Sequence, residues 1–181
     1  MDRIMYARFV FWLLLLGFLG LLGCSGDSPG APVEDFYRLY LKTHPIGLPT
    51  QEQEQAMAPY LSERLLGLID KARSYQETFK RQYPDDKPPW IEGCLFASLF
   101  EGPTRFKVSN VVANADGTSL VKVHFWYETS DGQKFDWEDS VIVRREAKRF
   151  VIDDFVMSGA GPFNPARRLS EELKYRTESR I

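Results

Sequence analysis

The sequence has few of the side chains from which metal sites and nucleophilic active sites are built. It contains only two histidines, His44 and His124, which lack the paired spacing of metal ligands. No serine or cysteine lies in a recognisable nucleophile motif, and no glycine run has the strand–loop–helix setting of a phosphate-binding loop. We therefore expect no metal and no cofactor.

The sequence also lacks an excess of charge of either sign. It has 23 Lys and Arg residues against 25 Asp and Glu residues, for a formal net charge of −2 at pH 7. Nucleic-acid binding requires a strongly basic face that releases counterions from phosphates. The balance of charge predicts no nucleic-acid partner.

Long hydrophobic runs are absent except near the start of the chain. Every residue from Phe9 to Leu22 is apolar or glycine, and Arg3 and Arg8 precede this run. A membrane-spanning helix needs about 20 apolar residues, which is longer than this run. A basic start and a short apolar segment are typical of a secretory signal, while an uncleaved anchor or an ordinary signal peptide are the alternatives.

The end of this run, Leu21-Leu22-Gly23-Cys24, resembles the lipobox of bacterial lipoproteins. The resemblance implies cleavage before Cys24, a diacylglyceryl thioether on its sulfur and acylation of its new amino group. It divides the chain into a signal peptide (1–23), a flexible tether (24–32) and one domain (33–181). The implied location is the bacterial cell envelope, facing the periplasm, and Ser25 favours the outer over the inner membrane because an acidic residue there retains lipoproteins at the inner one.

Cysteine is scarce, and the lipobox accounts for one of the two. If the sulfur of Cys24 carries lipid, Cys94 has no partner within the chain. The residues after Cys94 are mostly apolar, and free cysteines are often buried. We expect Cys94 to be a buried structural residue rather than a reactive thiol.

The domain changes its hydrophobic period along the chain, from helical in its first half to alternating in its second. Capping residues and apolar stripes predict helices over Val33–Thr43, Thr50–Ala58, Ser62–Arg81 and Ser170–Ser179. Alternation between turn residues predicts strands over Phe106–Ala113, Leu120–Glu128, Lys134–Arg145 and Arg149–Met157. Trp90–Phe100 is ambiguous. The order predicts an α+β fold, with N-terminal helices packed on a curved antiparallel sheet of about four strands.

Two carboxylates fall on the apolar face of the predicted sheet. A tight turn near Ala147 would set Asp139 beside Asp154, with Trp137 next to them. Tyr37 and Tyr40, on the apolar stripe of the first helix, would complete a candidate pocket, although such a stripe is more often core. Close acids in apolar surroundings suit a general acid/base or a ligand site. Alternatively, each carboxylate accepts hydrogen bonds from Tyr, Arg or backbone N–H groups and holds the sheet to the helices.

A second resemblance covers most of residues 32–175. Trp137–Val143 and Phe150–Phe155, together with Pro32–Tyr40 and Pro59–Leu65, resemble a family of bacterial envelope lipoproteins known as domain of unknown function 3828. The resemblance implies a cone similar to the nuclear-transport-factor-2-like (cystatin-like) fold, in which a curved sheet wraps helices around a pocket. That fold serves enzymes, binding modules and scaffolds, so it implies no single function.

Two functions are compatible with these patterns. The first is a lipid-anchored, non-catalytic binding or scaffold domain, attached to the membrane through Cys24, with an envelope protein or a small ligand as partner. The alternative is a small-molecule enzyme, an isomerase or dehydratase that uses Asp139 or Asp154 as general base. The missing nucleophile motif favours the first, and we expect no enzymatic activity.

Overall fold

The computed structural model of the chain describes residues 28–160 and 165–178. The predicted signal peptide and Cys24 lie outside the described residues. Among the described residues, no helix is long and apolar enough to cross a membrane.

Four α-helices are present in the described residues, and all four correspond to predicted helices. They are α1 (Ala31–Thr43), α2 (Gln51–Met57), α3 (Glu63–Gln82) and α4 (Leu169–Glu178), with a 3-10 turn at Ala58–Tyr60 after α2. Helix α1 begins two residues before the predicted start, within the segment expected to be tether, because Pro32 suits the first helical turn. Thr50 and Gln53 form the predicted capping box of α2, and the Ser62 hydroxyl caps α3 by accepting from the Leu65 N–H.

The strands form one antiparallel sheet in sequence order. They are β1 (Arg105–Ala113), β2 (Ser119–Glu128), β3 (Lys134–Glu146), β4 (Arg149–Met157) and β5 (Arg167–Arg168). The first four agree with prediction to within one residue at each end, so the α+β fold is confirmed. Strand β5 was not predicted, because two residues carry no readable alternation.

The core lies between the helices and the inner face of the sheet. Aromatic rings dominate its centre: the Tyr37 ring centroid of α1 lies 4.9 Å from that of Phe125 on β2, and Phe36 lies 5.2 Å from both Phe96 and Phe155. These rings are almost fully buried and fill the space beneath the sheet. The ambiguous segment around Trp90–Phe100 has no helix or strand, yet residues 94–98 are buried against this core.

A bulge in β4 decides which side chains face that core. Val143 of β3 pairs with Ile152 of β4, and the residue before it, Ile142, pairs with Asp154. Asp153 therefore has no partner on β3 and is an extra residue in β4. Side chains alternate between faces along a strand, and one extra residue reverses the alternation beyond it. After the bulge Phe155 faces the core, whereas Asp154 does not.

Candidate functional site

Asp139 and Asp154 lie on opposite faces of the sheet, so the prediction that they form an adjacent pair is wrong. Asp139 pairs with the core residue Val123 and faces the helices. Asp154 pairs with Ile142, whose side chain lies on the opposite face of the sheet from the core residue Val141. Two features break the predicted register. The turn pairs Glu146 with Arg149, which shifts the strands by two residues and keeps the same faces. The extra residue Asp153 then moves Asp154 to the other face.

The Asp139 carboxylate is surrounded by four neutral donors. Its Oδ1 accepts from the Ser98 hydroxyl at 2.5 Å and from the Ser158 N–H at 2.9 Å. Its Oδ2 accepts from the Ser98 N–H at 2.8 Å and from the Trp137 indole N–H at 3.0 Å. The residue is 2% exposed. Asp139 therefore joins β3 to the irregular segment before β1 and to the end of β4.

Asp154 is equally enclosed, by a different set of partners. It accepts from the Ser170 hydroxyl at 2.6 Å, the Ser170 N–H at 3.0 Å and the Phe155 N–H at 3.0 Å, and the Arg168 Nε lies 3.1 Å away. The residue is 3% exposed. It joins β4 to β5 and to the first turn of α4.

Asp153, the inserted residue, binds the start of α3. It accepts from the Ser62 hydroxyl at 2.8 Å and from Arg64 Nε at 3.0 Å. Burial acts to raise the pKa of Asp153, but the hydrogen bonds from Arg64 and Ser62 outweigh it and hold the pKa below its ordinary value. The Asp153 side chain is 14% exposed and lies between β4 and α3.

These contacts decide what the carboxylates can do chemically. A general base needs an oxygen within hydrogen-bond reach of a bound substrate. The oxygens of Asp139 and Asp154 are buried and accept from serine, tryptophan and backbone donors instead, and Arg168 lies within ion-pair distance of Asp154. The arrangement fits the alternative in which each carboxylate holds segments of the fold together.

The remaining residues of the predicted pocket belong to the core. The Tyr37 hydroxyl donates to the Phe96 carbonyl at 2.7 Å, and the Tyr40 hydroxyl donates to the Cys94 Sγ at 3.1 Å. Tyr37, Tyr40 and Cys94 are buried, and so is Trp137. Burial raises the pKa of both phenols and of the Cys94 thiol above their ordinary values, because the charged forms would lose their hydration. The prediction that Cys94 is buried is confirmed.

His124 lies on the outer face of β2, with its Nε2 3.1 Å from an Asp136 carboxylate oxygen. No group of three or more potential ligands among the described residues could hold a metal ion.

A large open cleft lies elsewhere, between the C-terminal half of α3, the irregular segment 83–104 and α4. Its volume is about 960 Å³. Its walls include Tyr75, Trp90, Phe100, Arg167, Glu172 and Tyr175. The sequence analysis did not predict this site, since its residues come from separated parts of the chain. Segment 83–104 is the feature that could have indicated it, because a long aromatic- and proline-rich stretch without regular structure is often functional.

The polar part of the cleft wall is an arginine–glutamate pair. Arg167 Nε lies 3.1 Å from Glu172 Oε2, and both side chains are about three-quarters buried. The other end of the guanidinium donates to the Cys94 carbonyl at 3.0 Å and the Ala97 carbonyl at 3.1 Å. Arg167 thus ties the irregular segment to α4 and presents polar groups beside the aromatic walls.

The chain matches no protein-family model, no curated protein and no solved structure. The resemblances to a lipobox and to an envelope lipoprotein family stay predictions. A functional assignment therefore rests on the chain's own residues and contacts, and the class that these establish is an α+β domain with an antiparallel sheet.

Proposed function

We propose that the chain is a lipoprotein of the bacterial cell envelope, anchored through the sulfur of Cys24, and that its domain binds a partner or ligand without catalysing a reaction. The observation that carries this proposal is Leu21-Leu22-Gly23-Cys24 at the end of a short apolar run with a basic start. The resemblance of Trp137–Val143 to an envelope lipoprotein family supports the same location.

The chemistry of the anchor supports a stable attachment. One acyl chain gives only marginal membrane binding, but each buried methylene adds about 0.8 kcal/mol, so two or three chains hold a protein persistently. Six residues lie between Cys24 and Ala31, where α1 begins. The seven steps from Cys24 to Ala31 span at most about 25 Å when fully extended, so the anchor would keep the domain close to the membrane surface.

The contacts of the domain favour binding over catalysis. Asp139 and Asp154, the candidate general bases, are buried and hydrogen-bonded within the fold. Cys94, the candidate thiol, is buried with a raised pKa. The open cleft beside α3 and α4 is a concave, aromatic-rich surface of the kind that ligands occupy.

The test of anchoring is metabolic labelling with a palmitate analogue, followed by membrane fractionation and mass spectrometry of the purified chain. We expect lipid on a chain that begins at Cys24. The variant Cys24→Ser should lose both the label and the membrane fraction. Cys94→Ser is the matched control, because it removes the other cysteine and should keep both. An unlabelled wild-type chain, or a labelled Cys24→Ser variant, would contradict the anchor.

The choice of membrane has its own test. Separation of inner and outer membranes by density should place the wild-type chain in the outer membrane. Replacing Ser25 with Asp should move it to the inner membrane, because an acidic residue after the lipidated cysteine retains a lipoprotein there. An unchanged distribution of Ser25→Asp would contradict this part of the proposal.

A further inference from the structure

The irregular segment 83–104 forms one wall of the cleft and is held in a fixed shape. The Gln76 amide donates to the Pro89 carbonyl at 2.7 Å, and backbone N–H groups of Leu48 and Gly47 donate to Trp90 and Gly93 at 2.9 and 2.8 Å. Asp139 holds Ser98 of the same segment, and Arg167 holds its carbonyls at 94 and 97. A wall fixed in this way needs little ordering when a ligand binds, which favours affinity.

Trp90 is held in the cleft wall by an uncommon backbone conformation. Its φ is 52°, in the left-handed region that bulky residues rarely adopt. Gly47 makes this possible, because a Cβ at that position would lie 2.1 Å from the Trp90 carbonyl oxygen. Strained residues persist where the surrounding structure over-determines them, and they cluster at ligand sites.

The aromatic rings of the cleft present flat apolar faces. Tyr75 and Trp90 pack edge to face, with ring centroids 6.2 Å apart. Phe100 is 51% exposed and Tyr175 is 73% exposed, although rings of this size are usually covered. Exposed rings that line a concave site are more informative than apolar residues scattered singly over a surface.

The charged groups of the cleft balance. Lys87 forms an ion pair with Glu92, and Arg167 forms one with Glu172. A site for a nucleotide or another polyanion would carry an excess of positive charge. Arg167 and Glu172 both line the cleft and are each about a quarter exposed, although the Nε and Oε2 atoms that face each other are buried. The parts of the two side chains outside this contact suit a ligand whose groups both donate and accept hydrogen bonds.

We propose that this cleft is a binding site for a neutral saccharide. A sugar ring has a flat face of C–H groups that packs on an aromatic ring, and each hydroxyl is one donor and two acceptors. Phe100 and Tyr175 supply the ring faces, and the exposed parts of Arg167 and Glu172 supply a donor and an acceptor. The inference rests on the proposed binding role of the domain, and it names the chemical class that the domain binds.

The test is a calorimetric titration of the full chain, purified in mild detergent. The three probes are an oligomer of N-acetylglucosamine, an oligomer of β-linked glucose and an oligomer of α-linked glucose (the maltose series). We expect at least one of these oligomers to bind. Tyr175→Ala should weaken that binding about tenfold or more, because loss of a stacked ring removes a central contact. Phe100→Ala should act in the same direction. Tyr175→Phe keeps the ring and should retain binding.

Phe135→Ala is the control, because Phe135 is an exposed aromatic residue on β3 that does not line the cleft. It should bind the oligomer like the wild type. Failure of all three oligomers to bind overturns the proposal, and so does binding that Tyr175→Ala leaves unchanged. Binding of a proline-rich peptide in place of the sugars, with the same dependence on Tyr175, would assign the cleft to a protein partner instead. Lipid labelling at Cys24 is independent of these titrations, so failure of the anchor and failure of the cleft are distinguishable.

Discussion

Asp139 is a polar side chain with nearly complete burial, and its four hydrogen-bond donors explain how the fold tolerates this. A carboxylate that accepts several hydrogen bonds is stabilised in its charged form, whereas an unpaired buried charge is very costly. The donors also need the carboxylate, since the Ser98 and Ser158 N–H groups that it binds belong to segments outside the regular hydrogen bonding of the sheet. Asp139 is therefore a structural residue that fixes one wall of the cleft from behind.

Asp139→Asn is expected to destabilise the domain by about 1–3 kcal/mol, because either orientation of the amide puts its NH₂ group against two donors. Urea unfolding followed by fluorescence measures the difference. Asp136→Asn is the matched control on the same strand, since its side chain is 62% exposed and should change stability by less than about 0.5 kcal/mol. Equal stabilities of the two variants would show that the four contacts of Asp139 contribute nothing.

Strand β4 shows how one inserted residue changes the role of a whole element. Before the bulge, β4 directs Ile152 to the core, and after it Phe155 and Met157 take that face. Asp154 thereby no longer faces the core, and Asp153 and Asp154 bind the starts of α3 and α4 respectively. The acidic side chain of Asp154 at the start of α4 also complements the positive end of the helix dipole.

The Asp154 contact predicts that α4 depends on β4 for its stability. Asp154→Ala leaves the Ser170 N–H and the Arg168 guanidinium without this acceptor, so we expect a loss of about 1–3 kcal/mol. If that loss is local, amide hydrogen exchange in α4 should accelerate about tenfold or more.

Glu171→Ala is the control for this experiment. Glu171 is also an acid in the first turn of α4, but its side chain is 73% exposed. Glu171→Ala removes a charge that interacts with the helix dipole but makes no buried contact, so it should alter amide hydrogen exchange in α4 only slightly. The interpretation fails if the two variants exchange alike.

At the scale of the whole molecule, the buried phenols and thiol make the free energy of unfolding depend on pH. Tyr37, Tyr40 and Cys94 lie together under the cleft wall, and burial raises the pKa of each. Above the ordinary pKa, about 8.5 for a thiol and 10 for a phenol, the unfolded chain releases these protons while the folded chain retains them. Their contribution to stability is therefore complete below pH 8 and is lost progressively as the pH rises.

We expect the free energy of unfolding to fall with increasing slope between pH 8 and pH 11. Each such group adds up to about 1.4 kcal/mol per pH unit once the pH exceeds its ordinary pKa. Tyr40→Phe removes one phenol and should make the slope above pH 10 shallower by about that amount, whereas Tyr175→Phe, at an exposed site, should not. Urea unfolding at several pH values measures the slopes. Identical slopes for wild type and Tyr40→Phe would contradict the role of burial.

Hydrophobic periodicity in the sequence was enough to determine the elements and the fold class. The apolar stripes of α1 and α3, the caps at Thr50 and Ser62, and the alternation of four strands are local patterns, and each survives in the structure to within a few residues. The burial of Cys94 followed in the same way from its apolar neighbours. Local interactions along the chain decide such features, so the sequence alone reveals them.

The tertiary structure alone decided where the acidic and aromatic residues meet. A single inserted residue, Asp153, put Asp154 on the opposite face from Asp139, because strand register depends on how two strands pair and not on either strand's own pattern. Likewise, Trp90, Arg167 and Tyr175 come from distant parts of the chain and share one cleft only after α4 packs beside α3. The partners of a side chain depend on long-range packing, so the sequence indicated that Asp139 and Asp154 are buried acids but not what they contact, and it did not indicate the cleft.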